Sequence, residues 1–242
     1  MKIAFAFAAA ALALAGCSKS APDVPTHGAV ASVPPPAGKS WTDVVSATPD
    51  GGYRMGNPNA PVQLVEYGSF TCPHCKRFEA EGLPIVKRDY VASGRVSYEF
   101  RPFLIHSPDP MATLLIECRG PAYFFPMSEQ VFAAQDTWLN KLVAVPPKVQ
   151  EGWTSMAPAD QMQAMAQAAG LKTFMAARGL SPAQADKCLA DPLGPSKLVG
   201  IRDHATNDLG VNGTPTFFLN GQIVEDTSAW EQLEPHLKNA VG

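Results

Sequence analysis

Cys72-Pro73-His74-Cys75 constrains this 242-residue chain more than any other stretch. It follows an apolar run, Val62-Gln63-Leu64-Val65-Glu66-Tyr67, that reads as a short buried strand. It precedes a helical pattern carrying Phe78, Leu83, Ile85, Val86 and Tyr90, which is expected to run to about Tyr90. Two cysteines at this spacing on a strand-to-helix junction can close a small disulfide ring at a helix N-terminus. Unpaired backbone N–H groups and the helix dipole favour negative charge there. A thiolate so held is both a nucleophile and a good leaving group, so the pattern points to thiol–disulfide exchange.

The N-terminus is expected to lie outside the fold. Met1-Lys2 is a short positive start, and Ile3 to Leu14 is an apolar run too short for a comfortable membrane span. It ends in Leu14-Ala15-Gly16-Cys17, which resembles a bacterial lipobox. Residues 1–16 then read as a signal peptide and Cys17 as the lipidated mature N-terminus; the alternative is an ordinary cleaved signal with an incidental cysteine. Residues 17–52, with Pro34-Pro35-Pro36, read as a Pro/Ala-rich tether. The expected location is extracytoplasmic or periplasmic, anchored to a membrane by lipid, where disulfides persist.

The remaining 190 or so residues suffice for one domain with an insertion. A net charge of -3 gives no case for nucleic-acid binding. Of five cysteines, Cys17 goes to the lipid and Cys72 and Cys75 to the active pair. Cys118 and Cys188 remain, an even number in an oxidising compartment, readable as a structural disulfide or as two buried free thiols. A zinc site would need two further ligands near Cys72 and Cys75, so no metal is expected.

Along the globular part, Tyr53-Arg54-Met55 and Val96 to Arg101 read as strands flanking the first strand–helix pair. Helical spacing then recurs through Met111, Leu114, Leu115 and Cys118, through Val131, Phe132, Gln135 and Leu139, and through Met162, Met165 and Ala169. Ser181-Pro182-Ala183-Gln184 reads as a capping box opening a helix that holds Cys188. Another helix runs from Leu198 to Leu209 and stops at Gly210. Thr216 to Leu219, Asn220-Gly221 and Gln222 to Val224 form a hairpin signal, and Ser228 with Glu231 is expected to cap a last helix, bent or shortened by Pro235.

With these elements placed, Glu66 to Cys75 resembles the active-site segment of DsbA-like thiol:disulfide oxidoreductases of the thioredoxin superfamily. Gly213-Thr214-Pro215-Thr216 with Phe217-Phe218 resembles their cis-proline loop. The resemblance covers roughly residues 53–242. It implies an α/β thioredoxin-like fold over 53–108 and 196–242 with a helical insertion over 109–195. It implies catalytic roles for Cys72 and Cys75, with Cys72 attacking and Cys75 resolving. It further implies thiolate stabilisation by His74, otherwise a surface residue, and proton transfer by Glu66, otherwise a solvated acid. Thr214 and a cis Pro215 would bind an extended substrate; otherwise they form an ordinary trans turn.

The implied function is introduction of disulfides into exported proteins bearing free thiols, with re-oxidation by a quinone-linked membrane oxidase, no bound cofactor and a monomeric chain. Two rivals stand beside it: a disulfide isomerase or reductase kept reduced by a membrane donor, and a redox-inactive peptide-binding chaperone. His27, His106, His204 and His236 are read as scattered surface or core residues.

Overall fold

The computed structural model describes residues 30–242. The expected signal peptide over 1–16 and the lipidated Cys17 lie outside the described residues. Six strands form one mixed sheet in the order β1-β2-β4-β3-β5-β6. They are β1 (Val45–Ala47), β2 (Tyr53–Gly56), β3 (Val62–Gly68), β4 (Val96–Pro102), β5 (Thr216–Leu219) and β6 (Gln222–Ile223). Only the β3–β4 pair is parallel; the other neighbours are antiparallel. β3 is central, flanked by β4 and β5, and its near-continuous apolar run is what burial on both faces demands. Alternation sends Val62 and Leu64 into the main core and Val65 and Tyr67 into a smaller cluster with Ala205, Val211 and Phe218.

The parallel β3–β4 crossover carries α1 (Pro73–Glu81) and α2 (Leu83–Ile85), followed by a π-helical turn over Val86–Val91. One helix was expected to run unbroken to about Tyr90. The interruption falls at Gly82-Leu83-Pro84, where Pro84 has no N–H to continue the ladder and its ring crowds the preceding turn.

Between β4 and β5 lie α3 (Asp109–Glu117), α4 (Pro121–Ala133), α5 (Gln135–Val143), α6 (Pro147–Trp153), α7 (Pro158–Ala168), α8 (Leu171–Ala176), α9 (Pro182–Leu189) and α10 (Gly194–Leu209). α10 crosses the expected 195/196 boundary: its Gly194 end packs on Leu114 of α3, while Ala205 joins the cluster beneath β3. Val131 and Gln135, read as one helix, fall on either side of a break at Ala134. α11 (Trp230–Val241) closes the chain with Pro235 inside it. Its cap lies one residue beyond the expected one: Gln232 Oε1 accepts from the N–H groups of Ser228 and Ala229, and Glu231 pairs with Arg77.

The stretch expected to be tether through residue 52 is tied to the domain by hydrogen bonds at Val30 and Val33, with residues 31–39 exposed, and packs into it from Trp41. The Val30 N–H donates to the Val241 carbonyl and the Val33 N–H to that of Ser93, both at 2.9 Å. Trp41 is 7 % exposed and its indole N–H donates to the Val33 carbonyl at 2.7 Å. β1 then pairs with β2 through Val45 and Met55. The physical reason is Trp41: a large aromatic with a hydrogen-bonding edge gains too much by burial to remain in a linker.

Candidate active site

β3 ends at Gly68, and the loop 69–72 turns the chain into α1 with Cys72 as N-cap and Pro73 at the first helical position. Cys72 and Cys75 are free thiols, 3 % and 1 % exposed. The Cys75 thiol, donating to the Cys72 sulfur, is the largest influence on Cys72; burial opposes it, and Thr214 with the backbone N–H groups of Cys75 and His74 adds to it. Together they pull Cys72 from an ordinary 9.0 to about 5. Cys75 moves the other way: burial, the bond to Cys72 and the nearby Glu66 and Cys72 charges push its thiol well up. One sulfur is therefore a thiolate at neutral pH and the other a buried thiol.

The His74 side chain is exposed, and what this residue supplies to Cys72 here is its main-chain N–H. Glu66 is 1 % exposed, and its Oε2 accepts from the Tyr98 hydroxyl at 2.5 Å. Burial lifts its carboxyl to about 8; the Tyr98 bond lowers it, the Cys72 charge raises it and the bond to Cys75 lowers it. Glu66 therefore stands beneath the two sulfurs and can exchange a proton near neutrality.

The Thr214–Pro215 peptide is cis and faces Cys72. Thr214 serves both protonation states. Its carbonyl accepts from the Cys72 thiol at 3.3 Å, and its buried hydroxyl, without another partner, stabilises the thiolate. Cys72, Cys75, Glu66, the His74 N–H, Thr214 and Pro215 thus converge at one end of the sheet. Cys118 and Cys188 do not: they form a disulfide between the end of α3 and α9. Among the described residues no group of three or more His, Cys, Asp or Glu side chains is placed to hold a metal ion.

Four residues of this region were not singled out by sequence. Tyr98 read only as an apolar position of β4. Gln135 read as one more helical position, yet its Nε2 donates to the Phe70 and Cys72 carbonyls. Asp109 is buried and accepts from Ser69 and Thr71, and His106, set aside as scattered, meets the Thr71 hydroxyl through Nδ1 at 2.8 Å. Asp109 between Pro108 and Pro110 carried a signal, an acid at a helix start. Gln135 carried none, because its partners lie more than sixty residues away in the chain.

A family model described as thioredoxin matches residues 48–239. A crystal structure described as a protein-disulfide isomerase from Novosphingobium aromaticivorans is similar at a TM-score of 0.76 and 30 % identity, covering 82 % of this chain and 100 % of that one. The crystal structure of Wolbachia pipientis alpha-DsbA1 is similar in fold at a TM-score of 0.62 and 23 % identity, covering 78 % and 90 % of the two chains. A Rickettsia bellii chain named as a protein-disulfide oxidoreductase is 27 % identical over 175 residues, which are 72 % of this chain and 59 % of that one. This chain thus spans under two thirds of that relative's length. Among the described residues no helix is long and apolar enough to cross a membrane.

Proposed function

From the premise that this chain belongs to the thioredoxin family, we propose that it is a DsbA-like thiol:disulfide oxidoreductase that passes its Cys72–Cys75 disulfide to exported proteins. The observation that carries this reading is the split between the sulfurs: Cys72 drawn down to about 5 beside a Cys75 pushed well up. In the oxidised enzyme a substrate thiolate attacks the Cys72 sulfur. The Cys72–Cys75 bond breaks, Cys75 leaves with the electron pair, and Glu66, when protonated, returns a proton to it. A second substrate thiolate then attacks the substrate sulfur of the mixed disulfide and expels Cys72 as a stable thiolate. The substrate has lost two electrons to the enzyme and two protons to solvent, and the enzyme holds a Cys72 thiolate beside a Cys75 thiol whose proton came from Glu66.

Thiolate stabilisation favours the reduced enzyme and therefore makes its disulfide oxidising. The cis Thr214–Pro215 loop supports docking of an extended substrate segment beside Cys72, in the manner of an added strand. Re-oxidation falls to a quinone-linked membrane oxidase, and a lipid on Cys17 holds the monomer at an extracytoplasmic membrane surface. Equilibration with glutathione redox buffers tests the direction: a potential near that of DsbA, about -120 mV, supports an oxidase, and one near thioredoxin's -270 mV overturns it.

The isomerase reading has one specific observation behind it, the printed description of the Novosphingobium structure. The redox state in cells separates the two: an isomerase must be held mostly reduced, an oxidase mostly oxidised. A chaperone role predicts that Cys72→Ala keeps full cellular function.

A further inference from the structure

Asp109 and Gln135 belong to the helical insertion, each is 1 % exposed, and both grip the four residues that lead into α1. The Asp109 carboxylate is divided between two segments. Its Oδ1 accepts from the Ser69 hydroxyl at 2.8 Å and the Thr71 N–H at 3.1 Å. Its Oδ2 accepts from the N–H groups of Ile105 and His106 at 2.9 Å and from the Thr71 hydroxyl at 3.2 Å. Gln135 works from the other side, its Nε2 donating to the carbonyls of Phe70 and Cys72, each at 2.9 Å. Every residue from 69 to 72 is thereby hydrogen-bonded to the insertion.

We propose that Asp109 and Gln135 are positioning residues that hold the loop 69–72 so that the Cys72 sulfur stays over the N–H groups of His74 and Cys75, making the helical insertion part of the redox site. The proposal rests on the thiol–disulfide reading above. Its physical basis is directional: hydrogen bonds weaken steeply with misalignment, so a sulfur displaced from the helix N-terminus loses donors. A buried carboxylate with five donors cannot shift without leaving some unpaired, and bonds to a charged acceptor are the strong ones. Gln135 fixes the Cys72 carbonyl itself, the C=O of the peptide that joins Cys72 to Pro73. The groups that act directly on Cys72 are the Cys75 thiol and N–H, the His74 N–H, Thr214 and the Glu66 charge.

The test is the ionisation of Cys72 in the reduced full chain, followed by thiolate ultraviolet absorbance, in wild type, Gln135→Leu, Thr71→Val and Asp109→Asn. Leu189→Ala, a core truncation in α9 away from the loop, serves as a destabilised control. Losing one well-aligned bond to a thiolate should raise the midpoint by about one unit, a roughly tenfold smaller acid dissociation constant, in Gln135→Leu. Leu189→Ala should titrate as wild type. The proposal is overturned if Gln135→Leu and Thr71→Val fold and keep the wild-type midpoint, or move no further than Leu189→Ala. Those two variants decide should Asp109→Asn not fold. A wild-type Cys72 that titrates as an ordinary thiol would instead overturn both the clamp and the functional reading beneath it.

Discussion

Burial governs the acid–base behaviour of Glu66. A carboxyl between two sheet strands and a helix has lost its water, and the Tyr98 hydroxyl compensates only in part, leaving it raised from 4.5 to about 8. The sign follows from linkage. A folded pKa above the unfolded one contributes stability that is complete below pH 4.5 and is lost as pH rises through about 8. Glu66→Gln keeps the shape and an acceptor for Tyr98 but cannot ionise. It should match wild type at the acid end and become progressively more stable than wild type as pH rises above 4.5. Urea denaturation of the oxidised forms, in which neither active-site thiol titrates, checks this; a stability difference that stays flat across the range would show that the carboxyl is solvated.

At the scale of elements, α9 is the simplest test of local rules. Ser181 Oγ accepts from the Gln184 N–H at 3.3 Å while Gln184 Oε1 accepts from the Ser181 N–H at 3.1 Å. Both groups are exposed and remote from the redox site, so Ser181→Ala should cost about 1 kcal/mol of stability and leave exchange rates unchanged. α9 also carries Cys188, whose disulfide to Cys118 closes a 70-residue separation. Replacing both cysteines by alanine should cost about 4 kcal/mol in the chain-entropy description and leave Cys72 ionisation untouched. Equilibrium unfolding reads the first effect and thiol titration the second.

Such local signals explain what was legible. The capping box at Ser181, the stop at Gly210, the hairpin about Asn220-Gly221 and the helix opening at Pro73 are each written in neighbouring residues. Elements set by distant partners were not. β1 exists because Met55 is there to pair with Val45, and the break after Glu81 needed the consequence of Pro84 to be carried back to residues already read as helix. The cysteine pair, Glu66 and the Thr214–Pro215 loop could be singled out from sequence, whereas the Asp109 and Gln135 contacts depend on how the insertion folds back.

For the whole molecule, the redox couple and the folding equilibrium are one thermodynamic system. Reduction adds two titrating thiols to the folded protein and the same two to the unfolded chain. Cys72 falls from 9.0 unfolded to about 5 folded, so its contribution to the reduced form is complete above pH 9.0 and vanishes as pH falls through about 5. Cys75 is raised, so its contribution is complete below its unfolded value and is lost only above it. Between about 5 and 9.0, then, Cys72 dominates, and the reduced form should gain on the oxidised form by at most about 1.4 kcal/mol per pH unit. Glu66, pushed further up by the Cys72 charge, flattens the upper part of that rise. Closing the cycle, whatever stabilises the reduced fold makes the disulfide a stronger oxidant by the same free energy. Paired urea transitions of the two forms across this range provide the measurement. A reduced-minus-oxidised difference that climbs with pH supports a protein built to give its disulfide away, and a difference that is flat or falls would remove the energetic basis for the oxidising direction.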